Sequence, residues 1–114
     1  MRLTHFPESA LKRLIGKAVI FKNSENMIYP GYYSSFDAAH NSFIALNVRQ
    51  SAQGLWLPNR IHLKSHVLAI PVDELGLIID VLVSTEEMII LVNEQFVRVC
   101  TRFVDLLVPF VVNS

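Results

Sequence analysis

The sequence predicts a mainly β fold with helical appendages: a short N-terminal helix, five short antiparallel strands and a helical C-terminal extension. Three observations lead there. From Lys17 onward apolar and polar residues alternate with period two, the period of a half-buried strand. No long amphipathic run separates the strands up to Val72, so crossover helices are absent and a small barrel or sandwich is expected. After Ser84 the apolar residues regroup at helical spacing.

Each element follows from its residues. Pro7 and Gly16 bracket the run Glu8 to Ile15, whose apolar face is Leu11, Leu14 and Ile15, and this reads as a short helix. Val19 and Phe21 then alternate with Ile20 and Lys22 in a first strand. Asn23 to Asn26 is a polar turn. Met27 to Phe36 is an aromatic-rich strand that bends at Gly31. Asp37 to Asn41 is a tight connection, because Asp and Asn side chains bond their own backbone. Ser42 to Arg49 returns as a strand, and Gln50 to Gly54 is a loop. Leu55 to Leu63 and Val67 to Val72 are two further strands around Lys64-Ser65-His66. Leu75 to Val83 is an apolar run that fits helix or strand equally. Ser84-Thr85-Glu86-Glu87 has the spacing of a capping box. It opens a helix whose stripe is Ile89, Val92, Phe96, Val99, Phe103 and Leu106, and Pro109 ends it. The density of Val and Ile supports a competing strand, but the stripe favours the helix. Two units result: residues 1–74, the β domain with its N-terminal helix, and residues 75–114, an apolar C-terminal extension packing on that domain or on a partner.

Composition points to assembly. Hydrophobic residues make up 52% of 114 residues and charged residues only 18%. So small a domain has too little interior for that much apolar surface, and an oligomer or complex subunit is expected. Ten basic residues balance ten acidic ones, so no global positive field draws in nucleic acid. The single cysteine, Cys100, suits a reducing compartment, cytoplasm or nucleus, and is expected to be buried and inert. Met1 to Gly16 carries no apolar core of a signal peptide. No run approaches the roughly 20 nearly uncharged residues of a membrane span.

The chemistry-bearing side chains are sparse. His62 and His66 have no Cys or carboxylate cluster beside them, so no metal or cofactor is expected. His40 or His5 with a Ser and an Asp is a chance triple without a nucleophile elbow, and no enzyme is expected. Asp37 and Asn41 are read first as turn residues. Tyr29, Tyr32, Tyr33 and Phe36 are read as core and interface rather than as base-stacking groups.

One combination of residues goes further. Leu11, Leu14, Gly16-Lys17, Val19, Tyr29, Gly31, Phe36-Asp37, Asn41 and Ile44 occur in the order and spacing of the first Sm motif. The segment Ile61 to Ile70 looks like a degraded second Sm motif. Residues 11–70 thus resemble the Sm/LSm superfamily. The resemblance implies an Sm-like small barrel, with a helix followed by five strongly bent antiparallel strands. In that family the fourth strand of one subunit pairs with the fifth of the next, which implies Trp56, Ile61, Leu63, Val67, Leu68 and Ile70 as oligomer-edge residues. It also implies a uracil pocket at Asp37, Ala39, Asn41, Lys64 and Ser65. That pocket is altered. Ala39 offers no π face where the family has a base stacker, Lys64 lacks the planar guanidinium of the family's Arg, and Ser65 stands in place of Gly. RNA contact is therefore expected to be weak or indirect. The pattern is similar to that of the Gemin-type Sm-like subunits of the SMN complex. It implies a non-catalytic scaffold subunit pairing edge to edge with another Sm-like protein in snRNP assembly. The alternative is an LSm ring subunit that binds U-rich RNA in splicing or mRNA decay. The predicted helical stripe would dock a further subunit.

Overall fold

In a computed structural model the chain is described over residues 1–22 and 34–107. One short helix, α1 (Glu8–Leu11), continues as a 3-10 turn, Lys12–Leu14. Gly16, at φ +88°, ends it in a conformation that favours glycine. Eleven strands follow among the described residues: β1 (Ala18–Phe21), β2 (Ser34–Asp37), β3 (Ser42–Gln50), β4 (Trp56–Pro58), β5 (Arg60–Ile61), β6 (Lys64–Ser65), β7 (Val67–Pro71), β8 (Leu75–Leu82), β9 (Glu87–Val92), β10 (Gln95–Cys100) and β11 (Val104–Leu106). A 3-10 turn at Val83–Thr85 precedes β9, and another at Thr101–Phe103 joins β10 to β11. The predicted bend at Gly31, with Tyr29, Tyr32, Tyr33 and Pro109, lies outside the described residues.

All strands but β5 and β6 belong to one antiparallel sheet. Its path runs β11-β1-β8-β9-β10-β3. β3 is where it branches. Two partners opposite one residue must lie on opposite edges of a strand. Ala45 faces both Ser34 of β2 and Leu68 of β7, and Val48 faces both Phe96 of β10 and Pro58 of β4. One edge of β3 therefore carries β2 and then β10, and the other carries β7 and then β4. Where β2 gives way to β10, the Ser34 hydroxyl accepts the Cys100 N–H at 3.1 Å.

This architecture corrects the predicted fold. Among the described residues there is no helix followed by a five-stranded Sm-like barrel, and no helical C-terminal extension. β1 pairs with β8 and β11, both drawn from beyond residue 74, and β2 to β7 are inserted between β1 and β8. Ladders also cross residue 74 between β3 and β10. The predicted helix over Ile89 to Leu106 is instead β9, β10, a 3-10 turn and β11. Asn93 and Glu94 both adopt positive φ, 48° and 64°, and form a two-residue hairpin turn between equal six-residue strands. Glu87, the last residue of the predicted capping box, lies on β9.

The core fills the concave side of this sheet. Phe21, Phe43 and Phe103 form its aromatic centre, with ring centroids 5.9 Å and 5.0 Å apart. Met88, Ile90 and Val92 on β9 and Val97 and Val99 on β10 alternate inward and are buried, as a pleated strand requires. Leu11 and Leu14 of the short helix close one end.

Candidate docking surfaces

The five residues expected to form a base pocket are not gathered. Asp37 ends β2; one carboxylate oxygen accepts the Ala39 N–H at 3.1 Å and the other lies 2.6 Å from His40 Nδ1. The hydrogen bond from His40 holds the Asp37 carboxyl below its ordinary 3.8. Ala39 is exposed. Asn41, at φ +50°, turns the chain into β3, and its carbonyl accepts the Val72 N–H at 3.3 Å. These residues build a turn beside the Pro71 end of β7. Lys64 and Ser65 lie beyond the other end of β7, past the Leu46–Val67 pair. The ladder from Ser42–Pro71 to Leu46–Val67 alone is ~13 Å long, too far for Asn41 and Lys64 to grip one base.

The residues predicted to form a docking helix are largely core. Ile89, Val92, Val99 and Phe103 are buried, and Phe96 and Leu106 are half-buried. Of the predicted edge residues, Ile70 is buried, Leu68 and Trp56 are half-buried, and Ile61, Leu63 and Val67 are exposed. Burial pushes the Cys100 thiol above its ordinary 9.0, which keeps it protonated and unreactive at neutral pH.

Two surfaces stand out that the sequence reading did not isolate. The first is the convex face of the sheet. Residues directly opposite across a ladder share a face. The pairs Ala18–Leu77, Leu77–Leu91, Leu91–Phe96 and Phe96–Val48 therefore make one apolar row across five strands. Its β3 end is covered. Trp56 packs edge-on against Phe96 at 5.2 Å, and its indole N–H donates to Asp80 Oδ2 at 2.8 Å. Beneath it Leu46, Val48 and Ile89 form a second small core. The β1–β8 end is bare. Leu75 is 52% and Leu77 43% exposed, with half-buried Ile20 opposite Leu75. The signal for this surface lies in β8 itself, an apolar run on both faces that pattern alone left undecided.

The second surface is a hairpin arm. β5 and β6 pair only with each other among the described residues. The arm leaves the sheet at Asn59 and returns at His66, in the gap between β4 and β7. Buried Asn47 of β3 pins that root. Its N–H donates to the His66 carbonyl at 2.8 Å, and its carbonyl accepts the Asn59 N–H at 2.9 Å. Its side-chain oxygen accepts from the Asn59 amide at 2.6 Å, and its side-chain nitrogen donates to the Phe96 carbonyl at 2.8 Å. The tip is His62-Leu63, both at positive φ, 50° and 67°. Leu63 is 92% exposed.

No helix among the described residues is long and apolar enough to cross a membrane. No group of three His, Cys, Asp or Glu among them could hold a metal ion. Comparison with protein-family models, curated proteins and solved structures gives no match.

Proposed function

We propose that this chain is a non-catalytic scaffold subunit that holds a partner protein against the β1–β8 end of its convex sheet face. The observation that carries the reading is the pair Leu75 and Leu77, exposed at the bare end of an apolar face whose other end is covered by Trp56. Burying a fully exposed leucine is worth roughly 1.5–3 kcal/mol; these two are about half exposed, so together they add about that much, and with Ile20 they supply the centre of an interface. Open strand edges add backbone donors and acceptors: among the described residues β11 pairs only with β1, and β7 only with β3. The likeness of residues 11–44 to the first Sm motif makes an Sm-like chain of an snRNP-assembly complex the partner to test first. A uracil-binding role is not proposed, because Asn41 and Lys64 lie at opposite ends of a ladder.

The test is capture of partners from a cell extract by the tagged full chain, with Leu75→Lys/Leu77→Lys as the comparison and Sm-like and assembly proteins scored by mass spectrometry. A discrete partner retained by the wild type and lost by the folded double variant is expected. Equal retention by both, or no partner besides the chain itself, would remove this reading.

A further inference from the structure

The arm and a furrow elsewhere on the chain are complementary, and we infer that the arm of one copy seats in the furrow of a second. The furrow lies between α1 and the end of β8 and encloses about 330 Å³. Its apolar lining is Leu11, Ile15, Val81 and Val83, and Glu8, Asp80 and Lys12 also line it. Ile15 is 47% and Val83 54% exposed, so the described residues leave it unfilled. Pockets for small ligands span roughly 300–1,000 Å³, and this one stands at the lower limit, with room for one or two side chains.

The arm presents what such a furrow takes. Leu63 projects at its tip, and Ile61 stands exposed opposite Lys64. Arg60 and Lys64 carry its charge, and no Asp or Glu occurs anywhere from Ala38 to Val72. In the furrow Asp80 already accepts the Trp56 and Val81 N–H groups, so exposed Glu8, beside Lys12, is the carboxylate open to the arm's cations. Glu86 lines the adjoining hollow with Leu11 and Val83 and is also drawn to Arg102, 4.0 Å away.

The backbone at the tip supports a role for Leu63 outside the fold. A leucine at φ +67° is strained, where glycine or asparagine would fit without cost. Its side chain gains nothing inside the chain, since it stands almost wholly in solvent. Strain kept in this way points from the observed geometry to a use in binding.

Arm and furrow are unlike patches of one molecule, so the contact either closes reciprocally in a two-fold dimer or runs head-to-tail into a ring or a filament. It uses none of the Leu75–Leu77 surface and is independent of the partner-docking role. The experiment is sedimentation of the full chain over a concentration series up to about 1 mM. Wild type is expected to associate, as a dimer or beyond. Leu63→Gly, which relieves the strained turn, and Val83→Asp, on the furrow, are each expected to weaken association by at least about tenfold. Leu63→Gly keeps its fold, with a Tm unchanged or higher. An equimolar mixture of the two variants is expected to form a dimer and stop there, because Leu63→Gly still offers a furrow and Val83→Asp still offers an arm. A wild type that stays monomeric, variants that associate like wild type, or a mixture that fails to pair would overturn the inference. So would a monomeric wild type whose Leu63 instead drives binding to phosphatidylserine vesicles or to oligo-U.

Discussion

A methyl group on Gly76 would lie 2.5 Å from Ile90 Cγ2 and 3.1 Å from the Leu91 carbonyl oxygen, with the Phe21 ring at 3.6 Å. Neither β9 nor the aromatic centre has room to yield. Gly76→Ala is therefore expected to destabilise the chain by about 1–3 kcal/mol, read as a lower urea midpoint at unchanged slope. An unchanged midpoint would mean that β8 can shift away from β9. Nothing local marks this glycine, because its constraint comes from Ile90, Leu91 and Phe21, which are 14, 15 and 55 positions away in the sequence. Gly16 and Asp37 are the contrary case. Each acts on its own neighbours, one stopping a helix and one bonding the Ala39 N–H, and both roles are legible from a short window of sequence.

Glu87–Val92 and Gln95–Cys100 show where element-level reading went astray. Ile89, Val92, Phe96, Val99 and Phe103 fit a helical stripe only because both faces of these strands are apolar. Met88, Ile90, Val97 and Val99 fill the concave core, while Ile89 and Phe96 fill the small core under Trp56. A strand buried on both sides loses its period-two signature. The usable signals were the many β-branched residues and a polar Asn-Glu pair between runs of equal length. Asparagine suits the first left-handed turn position, but glutamate at φ +64° does not suit the second. Glu94→Gly is expected to stabilise the chain by about 1 kcal/mol and raise Tm, as thermal unfolding would show. A fall in Tm would show that the Glu94 side chain contributes more than the turn costs.

At the scale of the whole molecule, period-two alternation foretold a β fold, and β1, β3 and β7 stand close to where it placed them. The path through the sheet was not legible. It depends on β1 passing over β2 to β7 and pairing with β8 and β11, and a one-pass reading assumes that consecutive strands are neighbours. The apolar excess reads as more than so small an interior can hold, and so as a sign of assembly. Part of it lies in the second core under Trp56, part is exposed at Leu75 and Leu77, and part stands on the arm.

Asn47 gives that arm a modular character. Asn59 and His66 already meet at the root, with the His66 N–H donating to the Asn59 carbonyl at 2.8 Å, and both are held by the same asparagine. Everything between them can therefore change without altering a single pairing in the large sheet. Replacing residues 60–65 by a two-residue Asn-Gly turn is expected to leave circular dichroism and Tm as they are while abolishing self-association. Loss of the fold would show that the arm is part of the sheet's foundation. In evolutionary terms the root is a socket: hairpins of different length and tip could be exchanged there, and one scaffold could change the company it keeps without relearning how to fold.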